Sequence, residues 1–372
     1  MKRSNGAGEE PSWAVRTVCP ANRASTTSLP ASVMSILMGR FLRRAGLQSP
    51  IARWIPPAAP RPYPSLERCR KARAGHGSPL PRPPGRSPRR YHVAMPSPDR
   101  PLRETRIVVF DTETTGLSPL RDRIVEIAAL SLENGRETGR FEELVDPAIP
   151  IPPELTKLHG IDDSMVRGKP LIAEVAARFL EFAGDACLAA HNAPYDMAML
   201  LRPAFQAGLA PAGNPVLDTC RLARRLVDAP NYQLGTLAGM LDVDLSRAHR
   251  AMPDVEATSG VLLECIRRLG DEASLAGAEK ASAARLSFGG GAPDGRELPL
   301  RLEAMDAAMR SGAPVEIVYR GGSHGDAPRT ITPIFLLELD RLLNVAAVCH
   351  IDDCLKNFRV AQIAKARPAG AC

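Results

Sequence analysis

The chain has 372 residues, 44% hydrophobic but only 4% aromatic, so it has room for two domains with cores of Leu, Val, Ile and Ala. No apolar stretch reaches the roughly 20 residues of a membrane-spanning helix, which speaks against a membrane protein. The net charge of +7 is misleading: residues 1–103 hold 19 Lys/Arg against 4 Asp/Glu, and residues 104–372 hold 29 against 37, so basicity gives no argument for nucleic-acid binding.

Residues 1–103 contain 17 of the 35 prolines and runs such as "PLPRPPGRSPRR", a composition that cannot bury enough apolar surface to offset the entropy of ordering. This leader is expected to be disordered, apart from a basic helical segment at 33–47; Met38 and Met95 are later candidate starts, and a targeting segment is the other reading.

From Arg106 the pattern changes. "RIVVFD" and "RIVEIAALSLE" read as strands, and the turn signal Asn134-Gly135 leads to a third, "RFEELVDP". A helix is expected at 173–184, a short strand at 187–191 and a helix from about Pro194, followed by the segments "PVLDTCRLARRLV", "YQLGTLAGML" and "DVEATSGVLLECIRRL". The result is an α/β fold, a mixed sheet with flanking helices, over residues 104–270. Residues 271–298, rich in Gly and Ala, read as a linker, and 299–368 as a small β-rich second domain. The eight cysteines show no CxxC pair and read as structural thiols in a reducing, cytoplasmic setting, with Cys349 and Cys354 able to approach one another.

The chemistry starts in "VVFDTETTGL". Asp111 and Glu113 project from the same face of a strand while Thr112 turns away. Alone, such a pair could simply meet solvent or cap a turn. Two further acids lie at expected helix starts, Asp196 in "HNAPYDMAML" and Asp254 in "HRAMPDVEAT", the latter five residues after His249. Four converging carboxylates would repel by roughly 4 kcal/mol per close pair at an effective dielectric near 20. Hard divalent cations, Mg²⁺ or Mn²⁺, offset that repulsion, and two such ions are a known device for attack on a phosphodiester.

With these three motifs in this order, residues 106 to about 269 resemble the DEDDh-type 3′-5′ exonucleases, the family that includes the epsilon subunit of bacterial DNA polymerase III. The resemblance implies a ribonuclease H-like sheet and a two-ion site in which Asp111 bridges both ions, Glu113 and Asp254 bind the tighter one, and Asp196 supports the second through water. It makes His249 the general base, a role suited to an imidazole with a pKa near 6.5. Arg250 stands where the tyrosine subtype has Tyr. The resemblance also implies that Thr114 and main-chain groups near Gly116 receive the 3′ end, that Leu117 wedges against the last bases, and that Asn192 contacts phosphate or sugar; turn chemistry is the other reading of each. His191 is expected to order the site, and His159 and His350 to serve structure.

Residues 299–368 resemble a WYL domain, an Sm-like β module, through Tyr319, "RTITP" with Arg329, and "NFRVAQI" with Arg359. Leu343, Asn344 and Val345 stand where the name-giving triplet would be. Tyr319, Arg329 and Arg359 are candidates for binding single-stranded nucleic acid or a nucleotide, with a packing module as the alternative. The expected function is metal-dependent 3′-5′ exonuclease action on single-stranded DNA or RNA 3′ ends, with a DNA polymerase as a candidate partner and no membrane. The rival is a nucleic-acid-binding or ligand-sensing regulator with a silent nuclease fold.

Overall fold

The computed structural model describes residues 95–243, 249–322 and 325–370; most of the leader, with its 33–47 segment, lies outside them. Strands β1 (Ile107–Thr114) and β2 (Ile124–Glu133) pair antiparallel, and β2 turns into β3 (Arg136–Leu144) through Asn134-Gly135. Both turn residues have positive φ, 51° and 72°, which a two-residue hairpin demands and Asn-Gly supplies with little strain. The meander is as expected, although β3 begins at Arg136 rather than Arg140.

On the other side of β1, β4 (Cys187–Ala190) and β5 (Asn214–Asp218) run parallel to it, giving the order β3-β2-β1-β4-β5. This is the mixed, ribonuclease H-like arrangement expected. Around it lie α1 (Pro153–His159), α2 (Asp163–Val166), α3 (Ile172–Ala183), α4 (Pro194–Gln206), α5 (Thr219–Leu226), α6 (Leu234–Met240) and α7 (Ala251–Leu269). Strand alternation sorts the core into two layers. Val108 and Phe110 pack with Phe179 of α3 and Leu200 of α4. Ile107 and Val109 pack with Leu222 of α5 and Val255 and Val261 of α7.

The linker expectation is corrected. Within 271–298, α8 (Leu275–Ser282) starts at Ser274, whose hydroxyl accepts the Gly277 N–H at 3.2 Å, and β6 (Ala284–Phe288) follows. Ala284, Leu286 and Phe288 are buried on one face of β6. That strand runs antiparallel to both β5 and β8 (Arg329–Leu339), joining the two parts in one continuous sheet. The longest irregular stretch within 271–298 is 289–298, after β6.

The second part is β-rich, as read from the sequence. Helix α9 (Glu303–Ser311) packs Met305 and Met309 on β7 (Val315–Tyr319), β8, β9 (Leu342–Cys349), β10 (Cys354–Arg359) and β11 (Ile363–Pro368). β8 pairs with β7 through residues 329–331 and with β6 through 337–339. Cys349 and Cys354 are opposite one another in register, both as free thiols. No helix among the described residues is long and apolar enough to cross a membrane.

Candidate metal centre

The layer sorting places the acids. Asp111 and Glu113 continue the odd-numbered face of β1, which packs on α7, and Asp254 stands in the first turn of α7. Ligand oxygens of Asp111, Glu113 and Asp254 lie within 4.8 Å of one another. Thr112 and Thr114 continue the opposite face, toward α4, and there Thr112 meets the fourth acid. Its N–H and hydroxyl both donate to Asp196 Oδ1, at 3.1 and 2.6 Å. Asp196, 3% exposed, is thus brought to the end of β1 from the other layer of the core.

Burial raises every one of these carboxyls, and neighbouring acids add to it. Asp111 is held well above its ordinary value by burial, then by Asp196, Glu113 and Asp254. Burial, with Asp254 and Glu126 adding to it, pushes Glu113 up to about 8. Burial likewise lifts Asp196 to about 7, against the Thr112 hydrogen bond, and Asp254 to about 6. An all-oxygen, anionic donor set under such strain fits a hard divalent cation such as Mg²⁺ or Mn²⁺.

Two neighbours tighten the centre that sequence reading did not assign to it. Glu126, 1% exposed and opposite Glu113 in the β1–β2 register, accepts from the Arg250 guanidinium at 2.5–3.2 Å and from the Ala251 N–H at 2.9 Å. A lone acid inside the apolar run "RIVEIAAL" was the available signal. Tyr195 OH donates to the Gly116 carbonyl at 2.8 Å and also meets Thr114 Oγ1 at 2.9 Å. His249 enters just ahead of α7 with φ 66°, its N–H donating to Asp254 Oδ2 at 3.3 Å; burial keeps its imidazole below the ordinary value.

The "TTGL" loop is braced from within. Thr114 turns its hydroxyl inward, to the Gly116 carbonyl at 2.7 Å, so this side chain shapes the loop. Ser118 N–H donates to Asp122 Oδ2 at 2.8 Å, and a Cβ on Gly116 would come within 2.5 Å of that same oxygen, so only glycine leaves the carboxylate in place. Leu117 is left 46% exposed at the tip. Asn192 is also exposed, with φ 66° and its N–H on Asp218, while His191 joins Thr219 Oγ1 and the Tyr232 carbonyl, at 2.8 and 2.9 Å. His159 is buried, its Nδ1 accepting the Ile161 N–H, and His350 meets Thr332.

Comparison with known proteins matches two segments of the chain. The Exonuclease family profile matches residues 108–262, and the WYL domain profile matches residues 301–368. The chain carries an exonuclease domain followed by a WYL domain. Curated relatives include the PolC-type DNA polymerase III of Caldanaerobacter subterraneus subsp. tengcongensis, 46% identical over 167 residues, and that of Bacillus subtilis (strain 168), 39% over 178. These alignments take in 45% and 47% of this chain but only 12% of each relative, so the chain spans a small part of their length. Among solved structures, exonuclease X in complex with 5′ overhanging duplex DNA is 26% identical, covering 47% of this chain and 99% of that one at a TM-score of 0.40. Exonuclease I of E. coli in complex with a dT13 oligonucleotide is 16% identical, covering 66% and 55% at 0.41.

In the WYL domain the three candidate ligand residues do come together, but around each other. Tyr319 OH donates to Gln362 Oε1 at 2.6 Å and accepts the Arg359 N–H at 3.3 Å. The Arg329 guanidinium lies 5.8 Å from the Tyr319 ring centroid, donates to the Gly325 carbonyl and is 5% exposed. Asn344, in the altered triplet, is buried and bonded to the Leu342 carbonyl. The WYL domain reaches the exonuclease domain at the β9–β10 turn, where Asp353 pairs with Arg121 and accepts from Ser118 Oγ at 3.4 Å, on the loop that presents Leu117.

Proposed function

We propose that the exonuclease domain hydrolyses phosphodiester bonds one at a time from the 3′ end of single-stranded DNA or RNA. The carrying observation is the approach of Asp111, Glu113 and Asp254 to within 4.8 Å, with Asp196 buried beside them. Asp111, Glu113 and Asp254 are the residues that would hold one divalent ion, and Asp111 with Asp196 a second. Such ions, when bound, supply the positive charge that neutralises the acids and stabilises the phosphate during displacement.

The remaining steps fall to the chain's own groups. His249 accepts a proton from the attacking water at a ring nitrogen, since burial favours its neutral, proton-accepting form near pH 7. The new bond joins the water oxygen to phosphorus, the bond from phosphorus to the preceding 3′ oxygen breaks, that oxygen takes a proton from solvent to become the new 3′ hydroxyl, and a nucleoside 5′-monophosphate leaves. Thr112 fixes Asp196 while this happens, and the exposed Leu117 stacks on the terminal base without regard to sequence. The PolC-type relatives make a DNA polymerase the candidate partner.

The test uses 5′-labelled single-stranded DNA and RNA with Mg²⁺, Mn²⁺ or chelator, comparing His249→Ala and Asp111→Asn with the parent. Stepwise shortening and mononucleotide release that require metal and both side chains are expected. Retarded but undegraded substrate, indifferent to metal, would instead identify a binding regulator.

A further inference from the structure

Away from the acids, a cavity of about 380 Å³ is lined by Arg221, Arg224, Arg225, Tyr232, Ser282 and Asp340. It gathers α5, the loop before α6, the end of α8 and the β8–β9 turn, so both domains contribute walls. Arg221 is fixed: Nε donates to the Ser282 carbonyl at 3.2 Å and Nη2 to the Ala283 carbonyl at 3.3 Å. Arg224 lies with its guanidinium carbon 4.9 Å from the Tyr232 ring centroid. Asp340 is the single carboxylate of the lining, 3.7 Å from Arg221 and 3.9 Å from Arg225.

Three guanidinium groups around one carboxylate leave an excess of positive charge, in a body where residues 104–372 are net acidic. Like charges repel unless an anion joins them. The planar donor fork of arginine matches the oxygens of a phosphate better than it matches chloride, and the stacked Arg224 and backbone-anchored Arg221 have lost part of their freedom beforehand. We propose that this cavity binds a phosphate group, carried either by a nucleic-acid strand or by a free nucleotide. The inference does not need the nuclease reading, because binding can be followed without turnover.

Calorimetric titrations with chelator present, at fixed low ionic strength, would use inorganic phosphate, dTMP, dT4 and dT16 as probes. The proteins are the full chain, Arg224→Gln/Arg225→Gln, Arg225→Lys and Asp340→Asn. The double variant should weaken binding on the order of tenfold or more, Arg225→Lys should retain most of it, and Asp340→Asn should tighten it several-fold. Equal sensitivity of phosphate and dTMP would assign the site to a free nucleotide. Sensitivity confined to dT16 would assign it to a strand. The proposal is overturned if every probe binds the double variant as it binds the parent, if none binds the parent, or if Asp340→Asn leaves affinity unchanged in a folded protein.

Discussion

In the exonuclease domain Asp111, Glu113 and Asp254 crowd together, and all three carboxyls are pushed up by burial and by neighbouring acids, Glu126 among them. In the WYL domain the polar groups that sequence reading singled out answer each other: Tyr319 bonds Gln362 and the Arg359 N–H, and Arg329 bonds the Gly325 carbonyl. Buried polar groups with mutual partners hold a fold, whereas buried like charges are costly until a ligand arrives. Uncompensated negative charge therefore marks the first region as a candidate site, whereas the polar groups of the second largely satisfy one another, with the buried Arg329 Nε left without a hydrogen-bond partner among the described residues.

The sharpest way to break this contrast is Asp111→Asn. We expect it to lower exonuclease rate by roughly 10³-fold or more, the several kcal/mol a cation contributes to phosphoryl displacement. The same change should raise the metal-free melting temperature, since each kcal/mol of relieved repulsion moves a domain of this size by roughly 2–4 °C. A loss of activity with no gain in melting temperature would deny that the acids strain the fold.

A pH series examines the same strain in the parent protein. A carboxyl whose folded-state pKa lies above its unfolded value binds more protons in the native state, so stability falls as pH rises between the two. Metal-free protein should lose melting temperature from about pH 4 up to about pH 8, the value to which Glu113 is raised, and Mg²⁺ should flatten that decline. A metal-free profile that is flat across this range would contradict the crowding.

Arg250→Ala leaves Glu126 buried with only the Ala251 N–H. Denaturant unfolding should show a loss of about 2 kcal/mol, below the 3–5 of a wholly buried pair because Arg250 is 36% exposed. Thr112→Val removes one hydrogen bond to a charged group, about 1.5–3 kcal/mol, and should lower kcat by about tenfold through a loosened Asp196 with little change in KM. Smallest is Tyr319→Phe, about 1 kcal/mol of stability with exonuclease rate unchanged; a lost rate there would mean the WYL cluster works on substrate after all.

The hairpin meander was legible because Asn134-Gly135 admits few other structures, and the three acid segments because each acid stands where a strand or helix begins or ends. Thr112 was read correctly as turned away from Asp111, but its bond to Asp196 spans 84 residues, and no local pattern reports a contact of that range. β6 was missed for a different reason. Its buried Ala284, Leu286 and Phe288 alternate with Arg285 and Ser287, a readable period of two, but the glycines after it and the alanines before it suggested loose chain. The alanine-rich stretch is instead a helix with a serine cap, in keeping with the helix preference of alanine. The opposition of Cys349 and Cys354 followed once β9 and β10 were placed in register.

β6 also governs how this molecule could be taken apart. Because β5 and β8 both hydrogen-bond to it, a nuclease fragment ending near residue 270 would expose the flank of β5, and one ending near 300 would leave β6 with an open edge. Bare edges of this kind recruit other chains. Excision of either half is thus a recipe for clumping rather than for an independent module, unless a replacement strand or a charged edge is built in its place.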